Sequence, residues 1–534
     1  MTHMSRTKAT TRLQAAGAGV LAAGAGLAGA SGFSALLNGV PSPVISVSNR
    51  VVDWAPVWLI EFGKNNFGLA DKPILIGTVA IVVVVLAATA GLVGLKRPTL
   101  ALGITAILGL AALAAAATDR TATASPFLVI LPSMLALAVS LSTLAWLLAA
   151  LARRREDQGD RWLRPHPGDD LHSNFDRRRF LVAAMATGAV AAAGGVVTRV
   201  FGDAAAAGSR TEFASNLTTL IPAEKAPPIP NGTDLGVRGV TPYITRNGDF
   251  YRIDTALTVP DVPADTWTLR IHGDVEEELE LSFEDLLGMR LVERRITMTC
   301  VSNEVGGELI GTATWIGVPM ADILDLVGIR GGADGVLATS DDGWTCATRV
   351  NDFYDRQALL AVAMNGEPLP LEHGFPVRVV VPGLYGMVGS TKWVRGMEIG
   401  RFADFEPYWT QRGWDAEAPI KTQSRIDTPT GFQELTPADD GSVTLGGVAW
   451  AQTTGIAKVE VQIDRGDWLE ADLGTEDFVD TWRMWKHTWA DPTPGSHTIT
   501  VRATDKGGDT QTSDSARPLP NGATGWHTIT FSVA

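Results

Sequence analysis

Long uncharged apolar runs dominate the first two hundred residues of the chain. Each run is close to the roughly 20 residues that a helix needs to cross the hydrocarbon core of a membrane. The five runs lie at 15–37, 74–95, 99–117, 126–151 and 180–197. The sequence therefore predicts an all-α transmembrane bundle of about five helices within residues 1–202.

The pattern changes twice after these runs. Residues 203–240 are rich in Ala, Pro, Gly and polar residues, which is typical of a linker. Residues 241–415 mix alternating strands with short amphipathic helices and predict a mixed α+β domain. In residues 416–534, short alternating segments such as AKVEVQID and HTITVRATD are bounded by turns, and they predict a roughly seven-stranded β-sandwich of immunoglobulin type.

Charge separates the two parts of the chain. Residues 1–202 carry a net charge of +8 and residues 203–534 carry −22. With the N-terminus inside, thirteen Lys and Arg residues fall in cytoplasmic segments and four fall outside, which agrees with the positive-inside rule. We therefore expect a multi-pass protein of the plasma membrane, surrounded by membrane lipid, with its C-terminal part outside the cytoplasm. The acidic exported part excludes nucleic acid as a partner.

Cysteine and histidine positions restrict the cofactors. Only Cys300 and Cys346 occur, and the chain has no C-x-x-C motif, which excludes c-type haem and cysteine-ligated iron–sulfur clusters. The sequence does not decide whether the two cysteines form a disulfide with each other. All eight histidines lie outside the apolar runs, so the bundle offers no axial ligands for a b-type haem. We expect neither haem nor an iron–sulfur cluster.

Cys300 stands where a strand meets a loop. In RITMTC, Ile296, Met298 and Cys300 fall on one face of the strand, and the loop VSNEVGGE follows. Gly306 and Gly307 in that loop let the backbone approach a ligand closely. A thiolate is a ligand for a soft, redox-active metal, although an isolated cysteine at a strand end is more often a small buried hydrophobe. We expect Cys346 to be a buried structural residue of this second kind.

The blocks TCVSN, WIGVPMADIL, LLAVAMNGEPLPLEHGFPVRVVVPGLYG and STKW resemble, in order and spacing, the molybdenum-binding domain of the sulfite oxidase family. The resemblance covers roughly residues 240–530 and is closest to a membrane-bound, actinobacterial-type branch. It implies a molybdopterin-dependent oxidoreductase whose molybdenum is bound by Cys300. It also implies that the C-terminal sandwich is a dimerisation domain, so we expect a homodimer.

The resemblance also implies a set of cofactor-binding residues. They are Asn247, Tyr251, Arg252, Cys300, His373, Arg378, Gly389, Ser390 and Lys392. Fixed cations beside a glycine-rich loop form a suitable cradle for an anionic group. Val305 stands where the family has an anion-binding arginine, and Val362 replaces a pocket tyrosine, so sulfite is in doubt as the substrate. Arg246 and Arg412 remain as the catalytic candidates for contacting an anion.

The implied reaction is a two-electron oxygen-atom transfer to or from a small substrate. Electrons would be exchanged with an external carrier such as a cytochrome, because the chain encodes no haem ligands of its own. A second hypothesis is the reverse reaction, the reduction of a sulfoxide or an N-oxide. A third hypothesis is a cofactor-free adhesion or assembly module.

An internal segment, NFDRRRFLVAAMATGAVAAAGG, resembles a twin-arginine export signal. Its arginines, Arg177 to Arg179, also fit the positively charged flank of a membrane helix. Twin-arginine export carries folded proteins, and a domain that receives a complex cofactor in the cytoplasm needs such a route. We therefore expect the segment to export the C-terminal part.

Overall fold

The computed structural model describes residues 2–37, 39–67, 70–160, 204–217 and 222–534. It divides into two compact units, one formed by residues 1–205 with 256–258 and the other by the remainder of the chain. The fifth predicted span and the twin-arginine-like segment lie outside the described residues.

Six helices form the described part of the first unit. They are α1 (Thr2–Ser34), α2 (Pro43–Trp54), α3 (Val57–Phe67), α4 (Asp71–Gly94), α5 (Pro98–Ala117) and α6 (Pro126–Asp160). Four stretches are long and apolar enough to cross a membrane, namely Thr11–Ser34, Asp71–Gly94, Pro98–Ala117 and Pro126–Ala152. They overlap the first four predicted runs. The short helices α2 and α3 were not predicted, because neither contains a long apolar run.

Small residues let helices α1 and α4 touch through their backbones. A Cβ atom on Gly91 would lie 2.0 Å from the carbonyl oxygen of Ala15, and one on Gly19 would lie 1.9 Å from that of Ala87. Close approach at small residues is typical of helix pairs in membranes, where packing and not hydrophobic burial drives association. Helix α6 closes the same core with the fully buried Leu147.

The second unit begins with a helix that the sequence interpretation missed. Residues 203–240 were predicted as a linker, but α7 (Ala204–Leu217) is helical. Its buried Phe213 contacts the ring of Phe283 edge-on, with 5.0 Å between the ring centroids. The Ala-rich composition that indicated a linker also favours a helix, and packing decided between the two. Residues 222–240 contain no helix or strand.

A mixed α/β domain follows, as predicted. Its strands are β1 (Thr268–Gly273), β2 (Leu279–Ser282), β3 (Val292–Thr299), β4 (Ile310–Pro319), β5 (Gly335–Ser340), β6 (Thr345–Arg349), β7 (Leu359–Met364), β8 (Glu367–Pro368), β9 (Arg378–Val380) and β10 (Val394–Gly400). Its helices are α8 (Phe283–Gly288), α9 (Met320–Val327), α10 (Val350–Asp355) and α11 (Gly386–Gly389). One sheet has the order β2-β1-β10-β5-β6, with β1 and β10 parallel. The other is antiparallel, with the order β3-β4-β7-β8 and β9 beside β7.

Burial explains why the second of these sheets forms the centre of the domain. All six residues of β7 are buried, and β3 is buried over its last five residues. Successive side chains of a strand point to opposite faces of the sheet, so these strands are covered on both faces. The strand that ends at Cys300 is therefore rigidly placed.

Nine strands in two sheets form the C-terminal part. They are β11 (Gln423–Thr428), β12 (Glu434–Leu435), β13 (Val443–Trp450), β14 (Ile456–Ile463), β15 (Trp468–Glu470), β16 (Asp472–Leu473), β17 (Arg483–Trp489), β18 (Gly495–Asp505) and β19 (His527–Val533). The sheet orders are β11-β13-β17-β16 and β12-β19-β18-β14-β15. Both contribute to one apolar core that includes Leu445, Val501 and Phe531. The immunoglobulin type of this arrangement stays a prediction.

Strand β3 joins the two parts of the second unit. Arg295 and Asp477 form a buried ion pair in which two guanidinium nitrogens donate to the two carboxylate oxygens. Two positions further on, the Thr297 hydroxyl accepts from the backbone N–H of Trp482 at 2.7 Å. The Gln452 amide donates to the Thr297 carbonyl at 3.2 Å. The C-terminal sheets therefore fix the strand that leads to Cys300.

Candidate functional site

Cys300 begins a closed loop at the end of β3. Its N–H donates to the carbonyl of Leu309 at 2.9 Å, and its carbonyl accepts from the N–H of Asn303 at 3.0 Å. The Asn303 side chain accepts from the Leu309 N–H at 2.9 Å. These bonds close the loop of residues 300–309 upon itself, and the cysteine is held where β3 and β4 separate.

The two cysteines differ in their surroundings, and both are free thiols, so the structure contains no disulfide between them. Cys346, in β6, is almost fully buried, and burial raises the pKa of its thiol to about 11. This is the inert buried cysteine that the sequence indicated. Cys300 is also mostly buried, at 8% exposure, but its loop carries exposed residues.

The tip of the Cys300 loop contacts the C-terminal sheets. A Cβ atom on Gly306 would lie 2.3 Å from Nε2 of His527, and Gly306 has a φ of +78°. Arg425 donates to the Gly307 carbonyl at 3.0 Å and pairs with Asp427 at 2.5 Å. Glycine is therefore required at residue 306 both by its conformation and by the imidazole beside it.

The segment around Asn247 is bonded to strands β4 and β7. The side chain of Asn365, directly after β7, donates to the Asn247 side-chain oxygen at 2.8 Å and to the Thr245 carbonyl at 2.9 Å. The Thr245 N–H donates to the Thr312 carbonyl at 2.8 Å. These bonds bring the predicted residue Asn247 to the sheet that ends at Cys300.

Two aromatic rings follow in this segment, and one of them packs against His373. Phe250 stacks on Tyr251, with 5.2 Å between centroids, and meets the ring of His373 edge-on at 5.6 Å. The pKa of Tyr251 is raised, first by burial and then by the nearby charge of Cys300. Tyr251 therefore stays a neutral hydroxyl at any physiological pH.

His373, Arg378 and Ser390, three of the predicted cofactor-binding residues, form one connected group. Arg378 is buried and donates to the His373 carbonyl at 3.0 Å and to the Ser390 hydroxyl at 2.5 Å. The Nε2–H of His373 donates to the Asn247 carbonyl at 3.2 Å. Gly389 lies next to Ser390, and its carbonyl accepts from the N–H of Val381.

Lys392 and Arg252 extend this group through a shared carboxylate. Asp254, which is almost fully buried, accepts from Lys392 at 2.9 Å and from Arg252 at 3.0 Å. Together with Arg378, the group therefore contains three cations and one carboxylate. A net positive charge in a partly buried place is a binding site for an anionic group.

The electrostatics of this group support that interpretation. Burial, followed by the charges of Arg378 and Lys392, lowers the pKa of His373 to about 3, so the imidazole is neutral. Burial lowers the pKa of Arg378 to about 10, so the guanidinium stays charged. Its Nε–H is buried and has no acceptor among the residues that the structure describes. Buried donors are normally paired, and an oxygen of a bound anion would satisfy this one.

Arg246 and Arg412, the two catalytic candidates, make local contacts. The Arg246 side chain is 84% exposed and pairs with Asp249 at 2.6 Å. The guanidinium of Arg412 lies 3.6 Å from the ring centroid of Tyr408 and donates to the Tyr408 carbonyl at 2.8 Å. Neither contact joins them to the cationic group, and their role in contacting an anion stays a prediction.

Sequence reasoning missed several residues that border the site. Tyr385 is buried, and its pKa is raised to about 12 by burial, with a further contribution from the charge of Cys300. Arg425 and His527 come from the C-terminal sheets, more than a hundred positions away. Tyr385 lies in the LYG segment of a block that the family resemblance already included. Nothing in the sequence indicated Arg425 or His527.

Comparison with known proteins places this site in a family. A family model described as "Oxidoreductase molybdopterin binding domain" matches residues 256–409. The chain is 35% identical over 148 residues to the uncharacterized oxidoreductase YuiH of Bacillus subtilis, an alignment that covers 28% of this chain and 72% of that protein.

Two further relatives have named activities. The chain is 30% identical over 295 residues to mitochondrial sulfite oxidase of Rattus norvegicus, covering 46% of this chain and 52% of the rat protein. It is 28% identical over 290 residues to the protein-methionine-sulfoxide reductase catalytic subunit MsrP of Ralstonia nicotianae, covering 49% of this chain and 79% of that subunit. The chain thus spans about half the length of the rat enzyme that it matches.

Proposed function

Because the chain belongs to the sulfite oxidase family of molybdopterin-dependent oxidoreductases, we propose that it transfers an oxygen atom to or from a small substrate at the Cys300 site. Electrons are exchanged with a separate carrier. One observation carries the proposal. The same domain contains a mostly buried thiol at the end of a buried strand and a connected cationic group of Arg252, Arg378 and Lys392.

The residues present fit a molybdenum–pterin cofactor. Cys300 offers a soft sulfur ligand, and the unsatisfied Nε–H of Arg378 fits an anionic oxygen such as that of the cofactor phosphate. Ser390 and the neutral His373 are bonded to Arg378, and Lys392 shares Asp254 with Arg252. These residues, with Asn247 and Tyr251, are the proposed cofactor-binding set. When bound, the cofactor supplies two-electron oxygen-atom transfer chemistry.

The remaining contribution of the chain is positioning. The loop bonds of Cys300 and the buried contacts of β3 fix the thiol before any ligand arrives. Preorganised groups stabilise charge without reorganisation at the moment of reaction. The pKa of Tyr251 is raised by burial, so its hydroxyl is neutral and can donate a hydrogen bond to a bound group.

The cellular setting is part of the same proposal. Four apolar stretches long enough to cross a membrane support a multi-pass anchor in the plasma membrane. The positive-inside pattern supports a catalytic part that lies outside the cytoplasm. The C-terminal sheets are proposed to be an immunoglobulin-like dimerisation domain, and a cytochrome is the proposed class of electron carrier.

Metal analysis of the purified full-length protein tests the proposal. We expect about one molybdenum per chain in the wild type and its loss in Cys300→Ser. Cys346→Ser is the matched control, because that thiol is almost fully buried in β6 and is not part of the loop of residues 300–309, and it should keep the metal. A fully matured wild type without molybdenum would overturn the proposal and leave a cofactor-free module as the alternative.

The direction of the reaction has a separate test. The similarity to the methionine-sulfoxide reductase subunit favours a reductase as the second candidate. Steady-state assays with sulfite and an oxidised dye, and with sulfoxides or N-oxides and a reduced dye, distinguish the two. Turnover in only one of the assays assigns the direction.

A further inference from the structure

Residues 367–373 connect strand β7 to His373, and they are held by their carbonyl groups. Pro368 and Pro370 have no backbone N–H, so the segment cannot form a continuous ladder of hydrogen bonds. Each carbonyl from residue 368 to residue 373 accepts a hydrogen bond instead. That of residue 370 accepts from the N–H of His373, and the other five accept from side chains. Side-chain donors of other elements therefore determine where His373 lies.

The second half of this segment is held by two cations and a tryptophan. Arg378 donates to the carbonyl of residue 373 at 3.0 Å, and Lys392 donates to that of residue 372 at 2.9 Å. The indole N–H of Trp393 donates to the carbonyl of residue 371 at 2.8 Å. Arg378 and Lys392 belong to the proposed cofactor-binding set. Residues that would bind the cofactor therefore also position this half of the segment.

Arg210 of α7 holds the first half of the segment. Its Nε–H donates to the Leu369 carbonyl at 2.8 Å, and Nη2 donates to the Pro368 carbonyl at 2.9 Å. The guanidinium also lies 3.6 Å from the Glu367 carboxylate, but that side chain is 65% exposed, and an exposed ion pair contributes little. The two carbonyl contacts are the stronger ones, since a charged donor strengthens a hydrogen bond. Arg210 thus fixes the segment from outside the predicted site.

Helix α7 is itself fixed by the mixed α/β domain. The Asp261 carboxylate accepts from the N–H of Ala206 at 2.7 Å, in the first turn, where a helix leaves its N–H groups without internal partners. The Ser209 hydroxyl accepts from the N–H of Ala264 at 2.9 Å. A helix of 14 residues is marginal on its own, so these contacts support its formation. Docking of α7 on residues 261–264 therefore brings Arg210 to its two carbonyls.

We propose that α7 is a clamp on residues 367–373 and that Arg210 is a positioning residue for cofactor binding. The inference rests on the proposed function and adds an element that the predicted site does not contain. With Arg210 in place, the segment that ends at His373 is ordered before a ligand arrives, which lowers the entropic cost of binding. Without Arg210, a bound anion and the segment would both depend on Arg378 and Lys392 for their order.

Arg210→Ala in the full-length, molybdenum-loaded protein tests this inference. The rate at which molybdenum is lost during dialysis should rise on the order of 10-fold, the size expected for one lost hydrogen bond to a charged group. Hydrogen–deuterium exchange should become faster in residues 365–374 and stay unchanged in β3. Arg210→Lys keeps a charged donor and should restore most of the molybdenum retention.

Arg483→Ala is the matched control. Arg483 donates to the carbonyls of Gly474 and Ile456, both at 2.8 Å, within the C-terminal sheets. Its side chain is 22% exposed, against 29% for Arg210. The control removes the same kind of contact at a place that does not touch residues 367–373. It should lower the unfolding temperature, as Arg210→Ala does, but it should leave molybdenum retention and the exchange of residues 365–374 at wild-type values.

Molybdenum loss at the same rate from Arg210→Ala and the wild type would overturn the inference. Equally fast loss from Arg483→Ala would also overturn it, because the effect would then be general destabilisation. If Arg210→Ala does not fold, Asp261→Ala loosens the first turn of α7 without touching residues 367–373, and unchanged retention in that variant sinks the clamp. A wild type without molybdenum would instead overturn the proposed function, and the metal analysis separates that failure from the others.

Discussion

Arg295 of β3 and Asp477 of the C-terminal part form a buried, bidentate ion pair, although 182 positions separate them in the sequence. The Arg295 side chain is 6% exposed and that of Asp477 is 2% exposed. Arg295 also donates to the Pro227 carbonyl, and Tyr243 donates to Asp477 at 2.8 Å. The pair therefore lies at the centre of the contact that holds the strand of Cys300.

Removing one member of this pair should destabilise the second unit strongly. Asp477→Ala leaves the Arg295 charge buried without its partner, and we expect a loss of about 3–5 kcal/mol in the free energy of unfolding. Thermal unfolding of the full-length protein in detergent, followed by tryptophan fluorescence, measures it.

An exposed ion pair is the control for this prediction. Arg290 and Asp322 pair at 2.9 Å, but their side chains are 49% and 31% exposed. Asp322→Ala should cost no more than about 1 kcal/mol. Equal effects of the two substitutions would contradict the structural role given to Asp477.

Gly306→Ala should disturb the Cys300 loop without unfolding the domain. The new Cβ atom would meet His527 at 2.3 Å in a backbone conformation that disfavours alanine. We expect a lower molybdenum content and partial recovery in the double variant with His527→Ala, because the two residues are in contact.

Gly236→Ala is the matched control for Gly306→Ala. Gly236 has a φ of +62° but has no atom within 4 Å of the position of a Cβ atom. Its substitution adds backbone strain without the collision. A molybdenum content that fell equally in both variants would assign the effect to strain alone.

Acid should weaken the contact between His527 and the Cys300 loop. Burial, followed by the charge of Arg425, lowers the pKa of His527 to about 4 from an ordinary value near 6.5. Between these values the unfolded chain binds a proton that the folded chain does not, so stability is present above pH 6.5 and is lost as the pH falls towards 4. The loss approaches about 3 kcal/mol at the lower end.

Chemical unfolding across this pH range provides the measurement. His527→Asn keeps an acceptor for the Ile426 N–H, which His527 binds at 3.0 Å, but does not titrate. The stability of this variant should depend less steeply on pH between 6.5 and 4. Parallel curves for the variant and the wild type would show that His527 does not titrate as described.

Gly91→Val should separate helices α1 and α4. The carbonyl of Ala15 lies 2.0 Å from where a Cβ atom would be, so a larger side chain forces the backbones apart. We expect a lower unfolding temperature of the bundle in detergent, measured by circular dichroism. Gly77→Val on the same helix is the control, since it has no atom within 4 Å and should be tolerated.

Replacing Arg177 and Arg178 with Lys should keep the catalytic part in the cytoplasm. Twin-arginine export reads the arginine pair, whereas positive charge alone satisfies the rule for membrane orientation. Protease protection in spheroplasts measures the exported fraction. An unchanged fraction would favour a simple positively charged flank.

The sequence by itself determined the class of the protein and its linear order. Long apolar runs are recognisable because a membrane imposes a length on every helix that crosses it. The alternating patterns gave the mixed α/β domain and the C-terminal strands, because periodicity reports which faces are buried. The family blocks led to Cys300, His373 and Arg378, and the structure joins the last two by a hydrogen bond.

Tertiary structure alone decided which distant groups complete the site. Arg425 and His527 contact the loop that begins at Cys300, although more than a hundred positions separate them from it in the sequence. Helix α7 lies within the predicted linker because Phe213 packs against the ring of Phe283. Periodicity describes one segment at a time, whereas a site depends on which segments pack together.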